Sequence, residues 1–224
     1  MNFLSHYYFE RFAKDPEQVL GGLLPDLLKN VDKKYAINLS KFEDLVYSNS
    51  KYQAISEGWV GHLEVDKIFH SSDFFYSHTH SLRKHIETVV DDLPIRASFL
   101  AHIALELLLD HNLITHKILS VDRLYEYLGQ VDRNSLRNYL KIFEIVDIAK
   151  FDNFYDKFVA SRYIFKYEEI ENIPHALFNI CKRIWSFDIE EKHLSMLTLK
   201  LKEYNERELQ DFKSIYTFIQ DKLQ

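Results

Sequence analysis

The stretch IRASFLAHIALELLLDHNL, residues 95–113, is the most apolar part of the sequence and decides the fold class. Its apolar run is longer than an ordinary strand, which favours a helix. Asp92 and Pro94 stand just before it, and such residues commonly open a helix. We therefore predict a helix over residues 95–113, with most of its surface facing a protein core.

Helical spacing of apolar residues continues on both sides of this stretch. Phe3, Leu4, Tyr7 and Tyr8 form one stripe near the start, and a single long helix is predicted over about residues 189–223. The chain has only 5 Gly and 4 Pro, too few turn formers for a many-stranded sandwich or barrel. The sequence predicts an all-α fold, a single-domain helical bundle over residues 1–224.

Charge and cysteine content exclude several classes of protein. The 28 Lys and Arg against 34 Asp and Glu leave a net charge of −6, which argues against nucleic-acid binding. A single cysteine, Cys181, excludes an internal disulfide and a cysteine-based metal cluster. No window approaches the roughly 18 apolar residues of a membrane span, and residues 1–12 lack the apolar run of a signal peptide. We expect a cytoplasmic protein with no membrane partner.

Histidines and carboxylates recur four residues apart in the segment GWVGHLEVDKIFH, residues 58–70. His62, Asp66 and His70 form this first ladder. Because a helix turns about 100° per residue, successive members drift only about 40° around the axis and face one side. Convergent nitrogen and oxygen donors of this kind are what a metal ion requires.

The apolar helix repeats the arrangement with His102, Glu106 and Asp110. Charged groups on a core-facing helix are costly unless they are paired or bind a metal, so this second ladder strengthens the prediction. Asp26 joins the candidates because it follows the break at GGLLP, residues 21–25. The outer members of each ladder differ by about 80° in direction, so the sequence leaves open which of them are ligands. His6 is equally compatible with a core position and with a site.

Four motifs together resemble a known family. The motifs are MNFLSH at residues 1–6, GGLLPD at 21–26, the helix with Gly58, His62 and Asp66, and LE followed by DH within residues 105–111. Their order and spacing resemble those of the acyl carrier protein phosphodiesterases. That family is related in fold to the HD-domain metal-dependent phosphohydrolases. The resemblance covers mainly residues 1–115, and ALFNICKR at 176–183 is similar to the family's late helix with its arginine.

The resemblance implies an HD-domain-like helical fold and an activity. Members cleave the phosphodiester that joins 4′-phosphopantetheine to a serine of holo acyl carrier protein, and they need a divalent cation, typically Mn²⁺. Asp26, His62, Asp66 and Asp110 match the family's metal and catalytic region. His70 and Glu106 stand where an aspartate is usual, although both can ligate a metal. The stretch HSSDFF, residues 70–75, is distinct and leaves the substrate open.

The hypothesis from these residues is metal-assisted phosphodiester hydrolysis. One or two divalent ions held by the ladders and Asp26 would activate a water, with His111 as the proton donor or a further ligand. Arg183 would clamp a phosphate oxygen, unless it is a solvated cation at a helix end. Mixed His and carboxylate donors suit Mn²⁺, Fe²⁺ or Zn²⁺.

The partner predicted from the resemblance is holo acyl carrier protein, which is acidic. Lys29, Lys33 and Lys34 are the candidates for a local basic patch that would receive it. Two other readings stay open: an HD-like phosphohydrolase of a nucleotide or another small phosphoester, and a metal-stabilised helical interaction protein without catalysis. The sequence leaves the oligomeric state open.

Overall fold

A computed structural model describes residues 1–35, 37–144 and 146–224. Within these ranges every regular element is a helix and no strand occurs, so the predicted all-α fold is confirmed. The α-helices are α1 (Phe3–Glu10), α2 (Pro16–Gly21), α3 (Leu24–Val31), α4 (Glu43–Val46), α5 (Ser50–His70), α6 (Asp73–Ile86), α7 (Ala97–Thr115), α8 (Val121–Gln130), α9 (Arg133–Lys141), α10 (Ile148–Ser161), α11 (Ile173–Cys181), α12 (Glu191–Arg207) and α13 (Lys213–Leu223). Short 3₁₀ helices cover Leu39–Phe42, Glu87–Val89, Tyr163–Glu168 and Ile170–Asn172.

The apolar stretch that decides the fold class forms α7. Leu100, Leu105, Leu108 and Leu109 are completely buried, as a core-facing helix requires. By length and hydropathy α7 could cross a membrane, so the expectation that no window comes close to a span is wrong. However, 61% of that window is buried inside the protein, as in a core helix.

The predicted helix over residues 189–223 is two helices, α12 and α13. This part of the sequence contains neither Gly nor Pro, so nothing in its composition signals the break. Leu209 and Phe212, which lie between the two helices, are both buried. Burial of these two side chains favours the turn over a continuous helix, and only tertiary packing decides it.

The described chain forms two compact units. Unit 1 consists of Met1–Ser5, Asp66–Leu119 and Ile164–Gln224, and unit 2 of His6–Val65 and Ser120–Tyr163. In unit 1, α7 packs against α6, α11 and α12, and α12 also packs against α6 and α11. In unit 2, α2 packs against α8 and α3, and α10 packs against α3, α8 and α9.

Two glycines allow α2 and α5 to approach closely in unit 2. A Cβ at Gly21 would lie 2.1 Å from the carbonyl oxygen of Ile55, and a Cβ at Gly58 would lie 2.1 Å from that of Gln18. Both obstacles are backbone atoms of a packed helix, which cannot rotate away as a side chain can. The crossing therefore requires glycine at both positions.

Gly58→Ala should lower the free energy of unfolding by about 3 kcal/mol, because the added methyl group forces the two helices apart. Gly129→Ala is the matched control, since a Cβ there meets nothing within 4 Å and the position is exposed in α8. That control should raise the free energy of unfolding by up to about 1 kcal/mol through helix propensity. Urea denaturation of both variants checks this, and equal stability of the two would contradict the close crossing.

Candidate functional site

Three of the predicted ligands meet in unit 1. His70 ends α5, while His102 and Glu106 stand one turn apart on α7. The Nε2 atom of His70 lies 3.2 Å from the Nε2 atom of His102 and 3.3 Å from Oε1 of Glu106. The His102 Nε2 atom lies 3.0 Å from the same carboxylate oxygen. We call His70, His102 and Glu106 the three-donor cluster.

The imidazole of His70 is held in one orientation. Its Nδ1 atom donates a hydrogen bond to the backbone carbonyl of Asp66 at 2.8 Å. A carbonyl oxygen can only accept, so the neutral ring carries its proton on Nδ1 and a lone pair on Nε2. Phe75 packs edge-on against both imidazoles, with ring centroids 4.9 Å from those of His70 and His102. The lone pair of His70 thus points into the three-donor cluster, as a metal ligand needs.

Glu106 is ionised within the three-donor cluster. Burial raises the pKa of Glu106, but the positive amino group of Met1 and the hydrogen bond of His102 outweigh it and hold the pKa well below its usual range. The Met1 amino group lies 3.3 Å from Oε1 of Glu106 and 2.6 Å from Oδ1 of Asp66. Asp66, the middle member of the first ladder, therefore pairs with this amino group in unit 1.

Asp110 anchors the start of α1 within unit 1. Its Oδ1 atom accepts hydrogen bonds from the backbone N–H and the hydroxyl of Ser5 at 2.8 and 2.7 Å. Its Oδ2 atom accepts from the Asn2 amide at 2.7 Å and from the Leu4 N–H at 3.1 Å. Burial raises the pKa of Asp110 to about 6, although these four donors lower it, so the carboxylate form prevails at pH 7. A carboxylate at free N–H groups of a first turn acts as a helix cap.

The remaining predicted ligands, Asp26 and His62, lie in unit 2. The Nδ1 atom of His62 donates to the Gly22 carbonyl at 2.9 Å, which leaves the Nε2 atom as the acceptor of the neutral ring. That Nε2 atom lies 3.9 Å from Oδ1 of Asp26, and the Lys29 ammonium lies 3.7 Å from the same oxygen. His6 is stacked on His62 with ring centroids 3.7 Å apart, and both imidazoles are buried.

Comparison with known families identifies the family of this chain. The sequence profile of the acyl carrier protein phosphodiesterases matches residues 1–219. The chain belongs to this family. Its activity is accordingly that of a phosphodiesterase acting on acyl carrier protein. Among curated proteins and among solved structures, no match was found.

The structure places two other predicted catalytic residues of the phosphodiesterase, His111 and Arg183, in unit 1. The Nδ1 atom of His111 donates to the Tyr167 carbonyl at 2.8 Å, and burial lowers the pKa of His111. The neutral imidazole therefore presents an acceptor at Nε2, whereas a general acid must donate. Arg183 is exposed and lies just after α11. Lys33 and Lys34, two residues of the predicted basic patch, are exposed as well. The roles assigned to these residues stay predictions.

Sequence reasoning missed two contributors to the phosphodiesterase's candidate site. The amino group of Met1 carries no sequence signal, because its contact with Glu106 arises only when the chain folds. Phe75 reads as an ordinary core residue, although it orients two imidazoles. His6, for which the sequence left a core position and a site equally open, is buried and stacked on His62 in unit 2.

Asp110→Asn should lower the free energy of unfolding of the phosphodiesterase by about 3 kcal/mol. The asparagine amide would turn donor hydrogens toward groups that are themselves donors, leaving buried N–H groups of α1 unsatisfied. Asp91→Asn is the control, since it makes the same chemical change at an exposed position. Urea denaturation at pH 7 measures both. An Asp110→Asn variant as stable as the control would show that the carboxylate does not anchor α1.

Proposed function

We propose that this phosphodiesterase is metal-dependent and releases 4′-phosphopantetheine from holo acyl carrier protein. The observation that carries the proposal is the three-donor cluster of His70, His102 and Glu106, found in a member of this family. In this proposal Mn²⁺ is the ion, and Fe²⁺ or Zn²⁺ can take the same donors.

The distances within the three-donor cluster fit a metal ion. Bonds of about 2.1 Å that meet at 90–110° separate ligand atoms by about 3.0–3.4 Å. The three separations here are 3.0, 3.2 and 3.3 Å. Two imidazole nitrogens and one carboxylate oxygen also match the mixed donor preference of Mn²⁺, Fe²⁺ and Zn²⁺. The donor set therefore supports the proposal in both geometry and chemistry.

The chemistry divides between the ion and the chain. A bound divalent ion would lower the pKa of a water and neutralise charge on the phosphoryl oxygens. Phe75 and the Asp66 carbonyl keep the His70 ring oriented, and ionised Glu106 supplies negative charge to the cluster. Three protein ligands would leave positions for a water and a substrate oxygen, as in catalytic metal sites.

Asp26, His62, Asp66 and Asp110 take roles other than that of a metal ligand in this proposal. His62 presents a lone pair at Nε2 beside the Asp26 carboxylate, an arrangement that can receive and hold a proton. Asp66 and Asp110 act in unit 1 through the N-terminal segment, by way of the Met1 amino group and the first turn of α1. In our proposal the carboxylates of Asp66 and Asp110 hold the N-terminal segment in place beside the metal ligands.

His102→Ala should weaken Mn²⁺ binding about 100-fold, since even loss of an outer-shell partner costs 10–100-fold in metal affinity. His175→Ala is the matched control because His175 is exposed on α11. The free Mn²⁺ signal in electron paramagnetic resonance, followed while protein is titrated with Mn²⁺, gives the affinity of each variant. If His102→Ala and parent bind Mn²⁺ equally, the ion is held elsewhere and the proposed site is wrong.

The reaction itself is tested by mass spectrometry of holo acyl carrier protein incubated with the enzyme and Mn²⁺. We expect conversion to the apo form with parent and with His175→Ala, and loss of at least 99% of the rate with His102→Ala. Hydrolysis of a nucleotide or a small phosphodiester with no action on holo acyl carrier protein would favour the small-substrate alternative. Metal-dependent thermal stability without any hydrolysis would favour a structural role.

A further inference from the structure

A groove lies between α6 and α7 in unit 1 and opens beside the three-donor cluster. Its volume is about 680 Å³, and it is wide open to solvent. His102 belongs both to the groove and to the three-donor cluster. The lining residues are Phe75, Tyr76, Ser77, Thr79, His80, Arg83, Ser98 and His102. A ligand in this groove would reach the cluster at one end.

The described lining of the groove exposes more apolar than polar surface, carries several hydrogen-bond groups and contains no carboxylate. Ser77 and Ser98 bring hydroxyl groups, and the Thr79 hydroxyl donates to the Phe75 carbonyl at 2.6 Å, which leaves its lone pairs as acceptors. Phe75 and Tyr76, near the N-terminal end of α6, add apolar surface to the groove. The groove thus suits an uncharged polar chain with short apolar groups.

Arg83 brings hydrogen-bond donors and a positive charge to the groove. Its side chain is half-buried, and within the described chain it forms neither an ion pair nor a hydrogen bond. Its five N–H donors are therefore available to a ligand in the groove. Phe75 and Arg83 are eight residues apart on α6, which places them about 12 Å apart along the helix axis. Arg83 thus stands at the other end of the α6 lining from Phe75.

We propose that this groove seats the 4′-phosphopantetheine arm of the substrate, with the phosphodiester at the three-donor cluster and Arg83 donating to the arm's amide carbonyls. The inference rests on the proposed function and adds the substrate's position to it. The arm is a linear chain with a hydroxyl, two amides and a dimethyl group, which are the chemical groups that the lining complements. Arg83 is then a determinant of specificity for the arm, outside the reacting atoms.

The first test uses pantetheine, which lacks the phosphate, as a probe in calorimetric titrations of the whole protein. The parent and Lys84→Gln should bind it equally, since Lys84 is an exposed neighbour on α6 outside the groove. Arg83→Gln should raise the Kd about fivefold, the effect expected for one lost hydrogen-bonding group. No binding by the parent, or an unchanged Kd in Arg83→Gln, would overturn the proposal.

The second test separates the groove from the proposed reaction. With holo acyl carrier protein as substrate, Arg83→Gln should raise KM about fivefold at nearly unchanged kcat, with Lys84→Gln as control. If KM rises while pantetheine affinity does not change, Arg83 contacts the acidic surface of the carrier protein, and the groove proposal is wrong. If the parent releases nothing from holo acyl carrier protein, the proposed function fails, while the pantetheine titration still decides whether the groove binds the arm.

Discussion

The burial of carboxylates on α7 constrains the rest of unit 1. Glu106 is mostly buried and Asp110 completely buried on a helix whose leucines face the core, so both carboxylates need partners. The N-terminal segment supplies donors to Asp110, and its amino group faces Glu106. The end of α5 brings His70 to the other two donors. Residues far apart in the chain thus converge because α7 cannot bury its charges alone.

A second constraint operates in unit 2, where α2 and α5 cross without room for a Cβ. Gly21 and Gly58 face backbone carbonyls at distances that no alanine could adopt. The adjacent Gly22 offers its carbonyl to His62, one turn further along α5. The close approach therefore also selects the tautomer of His62 and leaves its Nε2 atom beside Asp26. Here the glycines serve packing and the chemistry of the site together.

The two ladders, each of three residues spaced four apart, show what residue spacing alone can predict about a site. His102 and Glu106 do converge with His70, as helical geometry requires of residues one turn apart. Asp110, two turns from His102, instead accepts hydrogen bonds from Ser5 and its neighbours. The spacing of a ladder states which residues share a helix face, but it does not state which other segment lies opposite that face. Hence the two ladders proposed six ligands, and the sequence could not choose among them.

The sequence by itself determined the fold class, the family and the apolar helix that carries three of the seven candidate donors. Those conclusions depend on helical periodicity and on motifs in order, both of which are local in the chain. Only the tertiary structure decided that His70, His102 and Glu106 meet, that Asp110 anchors α1, and that Arg83 lies in a groove beside the cluster. The physical reason is that these contacts join segments distant in sequence, and their geometry follows from packing, which periodicity does not encode.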